Sequence, residues 1–218
     1  MRGYGAPGYM TSNPSEQAVP MELPKQLVRV GEQCVWTTQR FAAASALANT
    51  QHRIFAVSQG STGQGFTANA LTISETSLKE PNRIPTGYAF NVGGIACVIQ
   101  SAGNLAVAAN DLRNIQNNGV IAWDFIQTQI FVAPIMLIGA GGGNFGYAST
   151  TQNNTLVEQP NNGNGFYWAY RRHPVMLPSG STFAHIVFFG FGAAVVGSAD
   201  VYLKDVLIGA FQSAVEIG

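Results

Sequence analysis

Three histidines, His52, His173 and His185, are the side chains of this sequence best suited to bind a metal or move a proton near neutral pH. Metal ligands in one element come at short spacings such as His-x-His or His-Glu-x-x-His, which put two rings on one face. Neither spacing occurs here. A metal enzyme of the cupin type, built on a jelly roll, would need such a cluster. His185 stands near Phe183 and beside Ile186, and reads as a strand residue whose ring is satisfied within the fold. Asp and Glu are sparse, with no pair spaced locally for acid–base work; Asp200 and Asp205 flank the closing strand. No Gly-x-Ser-x-Gly elbow occurs. Gly141-x-Gly143-x-x-Gly146 matches a dinucleotide fingerprint on paper. That fingerprint works only where a helix opens after the glycines and offers its amides to pyrophosphate. Phe145-Gly146-Tyr147-Ala148-Ser149 gives no helical pattern, so the stretch reads as loop. The sequence therefore offers no catalytic residue, no metal site and no cofactor site, and the chain is expected not to be an enzyme.

Cys34 and Cys97 are too few for a disulfide framework. Cys97 lies inside the apolar run Ile95-Ala96-Cys97-Val98-Ile99 and reads as a buried, inert thiol. Eleven basic residues are scattered against eleven acidic ones, and Arg171-Arg172-His173 is the one tight basic group. Phosphate neutralisation needs clustered Lys and Arg, so no direct sequence-specific nucleic-acid binding is expected. The basic group is read as a solvated strand end. Asn153-Asn154-Thr155 fits a glycosylation acceptor, which carries meaning only in a secreted chain. Residues 1–10 show neither a basic head nor an apolar core, so no secretory signal is expected there. Phe166-Tyr167-Trp168-Ala169-Tyr170 is an aromatic run whose alternation exposes part of it. Phe166, Trp168 and Tyr170 are candidates to pack on a neighbouring subunit; stacking on a sugar is the alternative.

Composition points toward association. Charged residues make up 10% and hydrophobic ones 46%, with a formal net charge of +0 and a pI near 6.8. A typical soluble domain carries about 25% charged residues. Near-zero net charge removes the repulsion that keeps copies apart. At 218 residues the chain has room for one well-buried domain. Its longest apolar stretches, 130–143 and 186–197, are glycine-broken and shorter than the ~20 residues that span a bilayer.

The elements that must position all this are short strands and turns. Residues 1–25 carry Gly3, Gly5, Pro7, Gly8, Pro14, Pro20 and Pro24 and no apolar period. They read as an extended N-terminal arm, either loose or docked through Tyr4, Tyr9 and Met21. Residues 26–218 form the domain. Strand text covers Leu27 to Trp36, Ile54 to Val57, Leu71 to Ile73 and Tyr88 to Gln100, where Gly93-Gly94 predicts a bulge. Leu105, Ala109, Leu112 and Ile115 fall at helical spacing, which predicts one short helix over 105–116, stopped by Asn117-Asn118-Gly119. Strands follow at 120–125 and 129–132, around a turn at Gln127-Thr128, and at 135–138. Residues 139–165, rich in Gly and Asn, read as long loops. Strands resume at 166–170, 175–177, 183–191 and 201–208, with a last one at 210–217. Regular short strands without alternating helices predict an all-β sandwich or barrel.

Ile84-Pro85-Thr86-Gly87-Tyr88-Ala89-Phe90 echoes Leu177-Pro178-Ser179-Gly180-Ser181-Thr182-Phe183. Each is aliphatic, Pro, hydroxyl, Gly, two spacers, Phe. Pro fits position i+1 of a turn, Gly eases the exit, and Phe starts a buried strand. Two such corners suggest two equivalent crossings between facing sheets. The order of these corners, the helix ending Asn117-Asn118-Gly119-Val120, the hairpin strand and the closing Val201-Tyr202-Leu203-Lys204-Asp205-Val206-Leu207-Ile208-Gly209 resembles a known family over about residues 70–215. The resemblance is to the vertical jelly-roll capsid proteins of tailless icosahedral bacteriophages and related viruses. It implies a single jelly-roll β-sandwich and a structural capsid protein of the virion, major, vertex or minor. Its partners would be copies of itself, other capsid proteins and, in membrane-containing members, an internal membrane. Many members carry two jelly rolls, whereas this chain has room for one. A carbohydrate- or receptor-binding jelly-roll module is the alternative function.

Overall fold

The computed structural model describes residues 27–101, 105–125, 128–139, 144–152, 155–162, 168–169, 174–190 and 199–214. The element order is β1 (Leu27–Phe41), β2 (Gln51–Ile54), β3 (Tyr88–Ser101), α1 (Leu105–Asn118), β4 (Gly119–Phe125) and β5 (Thr128–Pro134). A single 3-10 turn, η1 (Ile135–Leu137), follows. Then come β6 (Asn144–Gln152), β7 (Thr155–Asn162), β8 (Trp168–Ala169), β9 (Val175–Leu177), β10 (Phe183–Phe189) and β11 (Val201–Ala214). The protein is an all-β sandwich with one short α-helix among the described residues, as its strand text predicts. The segment 1–25 lies outside the described residues. No helix among the described residues is long and apolar enough to cross a membrane.

The first sheet runs β1-β11-β3, with β8 and β9 both pairing the far edge of β3; the second runs β2-β10-β4-β5. Every pairing is antiparallel. The side-chain period of two puts one parity of each strand inside. On β10, Phe183, His185, Val187 and Phe189 are buried; on β11, Val201, Leu203, Asp205 and Leu207 are. Against them stand Phe90, Val92, Ile95, Cys97 and Ile99 of β3 and Ile121 and Trp123 of β4. The parity of β3 changes between Val92 and Ile95. Ile208 pairs with Gly94 and Gly209 with Val92, which leaves Gly93 as the extra residue of a bulge. The expected bulge at Gly93-Gly94 is thus present, and it keeps both halves of β3 facing the core. Leu112 and Ile115 of α1 join the same core. Fully burying each such side chain contributes roughly 1.5–3 kcal/mol.

The two echoed corners meet each other in space. Gly180 N–H donates to Ile84 O at 3.2 Å, and Gly87 N–H donates to Ser179 Oγ at 2.8 Å. Each is a four-residue turn: Tyr88 N donates to Pro85 O (3.1 Å) and Ser181 N to Pro178 O (3.0 Å). Proline is therefore the first residue of the turn, not the second as its sequence position suggested. Glycine occupies the third position with φ of +88° at Gly87 and +69° at Gly180, backbone that L side chains adopt at a cost. The phenylalanines that follow, Phe90 and Phe183, are fully buried. Both corners lie in connections that cross between the sheets, as expected: the second leads β9 directly into β10, and the first ends the long loop from β2 into β3.

Five other local readings change. The strand expected at Ile54 to Val57 is instead β2, which ends at Ile54, where Phe55 turns to a φ of +66°. Residues 144–152 and 155–162 pair as the hairpin strands β6 and β7 rather than reading as loop; Thr150 pairs with Val157 and Ala148 with Gln159. Their Thr and Val content favours extended backbone despite the surrounding Asn and Gly. Leu71-Thr72-Ile73 is no strand: Glu75 Oε2 accepts bonds from the Thr72 amide (2.8 Å) and hydroxyl (2.5 Å), closing a turn that leaves Ile73 64% exposed. The stretch 135–138 becomes η1, which buries Ile135 and Ile138 and turns Met136 and Leu137 outward. The closing strands 201–208 and 210–217 are one strand through Ala214.

Candidate functional site

The chemistry-bearing side chains that the fold brings together lie inside the sandwich. His185 projects inward from β10 of the second sheet and Asp205 inward from β11 of the first. His185 Nδ1 hydrogen-bonds Asp205 Oδ2, and neither side chain has any exposed surface. Trp123 stands edge-on to the imidazole with centroids 4.1 Å apart, and Phe55 does so at 5.5 Å. Cys97 faces Asp205 across the β3–β11 ladder. Burial, and then the nearby Asp205 carboxylate, push the Cys97 thiol well above its usual range, so it stays protonated and inert, as its apolar setting predicts. His185 Nε2 and Asp205 Oδ1 have no hydrogen-bond partner among the described residues. The pair links the two sheets across the core and is closed to solvent on every side. A sealed pair offers no place for a substrate, so we read it as an intersheet clasp.

Sequence reading missed this pair, because nothing in a strand pattern says which inward residues of two sheets will meet. One signal was available: His185 and Asp205 each occupy the apolar parity of their strands, where an ionisable residue requires a partner.

At the other end of the sandwich His52 sits half-buried against Phe41 (5.0 Å) and Phe189 (5.9 Å), with Nε2 3.0 Å from Thr50 Oγ1. Burial lowers its pKa from the ordinary 6.5. As pH falls below 6.5, the unfolded chain takes up this proton first, so stability is full above that value and declines as the pH drops toward the folded pKa. Replacing His52 by Gln is expected to shrink the difference in urea midpoint between about pH 7.5 and about pH 5. An unchanged difference would remove His52 as the cause. Asp200 behaves as a strand-end anchor: the Ala43 backbone N–H (2.9 Å) and then Arg40 (2.8 Å) hold its carboxyl below the usual range.

Among the described residues no group of three or more His, Cys, Asp or Glu could hold a metal ion. The glycine fingerprint leads into strand β6 and not into a helix; Gly141 and Gly143 lie outside the described residues.

Of the candidate contact residues, Tyr4, Tyr9, Met21, Phe166 and Tyr170 lie outside the described residues. Trp168 is described: it pairs with Ile95, is half-buried and packs on the core. Part of the aromatic run is therefore core and not platform. Among the described residues the large exposed apolar side chains are Ile73, Tyr88, Met136, Leu137 and Met176. Met136 was hidden from sequence reading because an apolar run of four looks like a buried strand until a 3-10 turn splits it. Comparison with protein-family models and with curated proteins returns no match.

Proposed function

We propose that this chain is a non-catalytic shell subunit: a single jelly roll that assembles with copies of itself, and with other capsid proteins, into a viral capsid. The observation that carries the reading is the strand order. Counting β8 and β9 as one interrupted strand and setting the β6–β7 hairpin aside leaves β1-β11-β3-β8/β9 facing β2-β10-β4-β5. Every connection between these strands passes from one sheet to the other except the β4–β5 hairpin. Eight antiparallel strands wound so, as paired Greek keys, make the jelly roll common in shell proteins. Composition supports the same reading, since 10% charged residues and zero net charge suit a surface covered by neighbours. So does the His185–Asp205 pair, which lies sealed from solvent inside the sandwich. The sugar-binding alternative is weakened by Trp168, whose ring is partly spent on the core.

Electron microscopy of the purified full chain is expected to show regular particles, rings or sheets, and size-exclusion chromatography a mass of several copies. A stable monomer at every concentration, with saturable glycan binding, would overturn the proposal.

A further inference from the structure

The outer face of the first sheet carries a knob at one end and a hollow at the other. Outward residues alternate with the buried ones, so Cys34 and Trp36 of β1 lie beside Ile208 and Val206 of β11. Gly94 and Ala96 of β3 complete these two middle rows, which hold no charge.

The knob is the turn that Glu75 closes on Thr72. It stands over the outer face, because Trp36 Nε1 donates to Ile73 O at 3.0 Å and Lys204 Nζ to Ser74 O at 2.9 Å. Both donors are outward side chains of the sheet. The Thr37–Thr76 bridge and the 2.9 Å bond from Ser77 N to Trp36 O tie the turn to β1. Ile73 at its tip and the neighbouring Ser74 are exposed. An apolar side chain held out by a fixed turn is suited to enter a partner's recess.

The hollow has a volume of about 530 Å³. Gly93 and Gly209 bring no side chain to it and Ala210 only a methyl, so the face is sunken there; Cys34 and Ile208 give it apolar sides. Asn91 and Gln212 also line it. Asn91 Oδ1 and Gln212 Oε1 are buried without a hydrogen-bond partner among the described residues. Buried acceptors left so are costly until a donor arrives.

We infer that Ile73 of one copy enters the hollow of a second copy, and the reverse, across a two-fold axis. The inference rests on the assembly reading above and names one of its contacts. Because knob and hollow share one face, a second copy brings both halves at once. The knob lies over the Trp36 and Thr38 rows and the hollow over the Glu32 and Cys34 rows, roughly 13 Å apart along the strands. A two-fold axis that runs between the facing sheets, across their strands, reverses strand direction and keeps each strand opposite itself. It carries each knob to the other copy's hollow and closes the uncharged middle rows on each other.

The charges agree with that axis. It crosses β1 at Val35, so Glu32 comes opposite the second copy's Thr38, which pairs with Lys204. The lysine is then one strand over, roughly 4.8 Å to the side. Glu32 also has an interaction in its own chain, and Lys204 already attracts Glu75, so the new pairing adds to existing ones. The Ser74 hydroxyl, a donor, arrives with Ile73 beside Asn91 and Gln212, whose oxygens can accept it.

Cys34 in the hollow makes the test direct. A tagged chain with Ile73→Cys and Cys34→Ser is co-expressed with the untagged natural chain and oxidised mildly with diamide. Cys97 does not compete, since burial keeps its thiol protonated. A disulfide-linked dimer of one tagged and one untagged chain is expected. Its yield should exceed about tenfold that from Met136→Cys with Cys34→Ser, an exposed position after β5 of the other sheet, because docking raises the effective thiol concentration. Gly93→Leu in the untagged chain fills the hollow. A Cβ there meets only Ile208 O at 3.7 Å, an ordinary contact, so the urea midpoint should change little. The dimer yield should fall about tenfold. No mixed dimer, a yield equalled by the Met136→Cys control, or a yield that Gly93→Leu leaves unchanged would overturn the inference. Regular particles without the crosslink would sink this contact and leave the shell standing; crosslinked dimers that never grow further would support the contact and sink the shell.

Discussion

Replacing Asp205 by alanine is expected to lower folding stability by about 3–5 kcal/mol, the cost typical of breaking a buried pair by removing one partner. The residue has no exposed surface and its one described partner is His185, itself fully buried beneath Trp123 and Phe55. Alanine leaves His185 Nδ1 without its acceptor in a place water does not reach, and Nε2 is already unpartnered. A stranded buried polar group costs far more than the bond itself was worth. His185→Ala is expected to cost a similar amount, through the stranded carboxylate and the cavity beside Trp123.

The clasp reading makes a sharper forecast for the double variant. Asp205→Val with His185→Phe removes both polar partners and keeps the site apolar and filled. It is expected to recover most of what either single alanine variant loses, because apolar replacements of buried pairs are often neutral or better. Urea denaturation of the singles and the double gives the coupling energy. A coupling near zero, or an Asp205→Ala loss under about 1 kcal/mol, would show that the two side chains do not depend on each other.

What was legible in the sequence follows from how local each cause is. Leu105, Ala109, Leu112 and Ile115 declare α1 because a helical face is written within four turns. The bulge at Gly93 was legible because two adjacent glycines interrupt an apolar strand. The β6–β7 hairpin was not: its glycines and asparagines argue for loop, and pairing across the hairpin outweighs them. The contact between the Gly87 and Gly180 turns could be suspected only from their likeness, since residues 92 apart carry no mutual signal.

The second large effect is expected at Gly65, where substitution by alanine should cost about 3 kcal/mol from backbone strain and a lost buried hydrogen bond. Gly65 has φ of +83°, and a Cβ there would lie 2.0 Å from the carbonyl oxygen of Arg40. That oxygen is backbone of β1 and cannot rotate away. Relief requires the small hairpin closed by Gly63 and Phe66 to lift off the strand. Lifting it breaks the 2.9 Å bond from Arg40 N to Gln64 O, the 3.1 Å bond from Thr37 Oγ1 to Gln64 Oε1, and the stacking of Phe66 on Tyr202 at 5.9 Å. Gly60 separates collision from strain: its φ is +80° but a Cβ there meets nothing within 4 Å. Gly60→Ala should therefore cost only about 1 kcal/mol. Thermal and urea midpoints of the two variants read the difference directly. Equal losses would mean that the hairpin does not press on β1, and that only left-handed backbone is being charged at both positions.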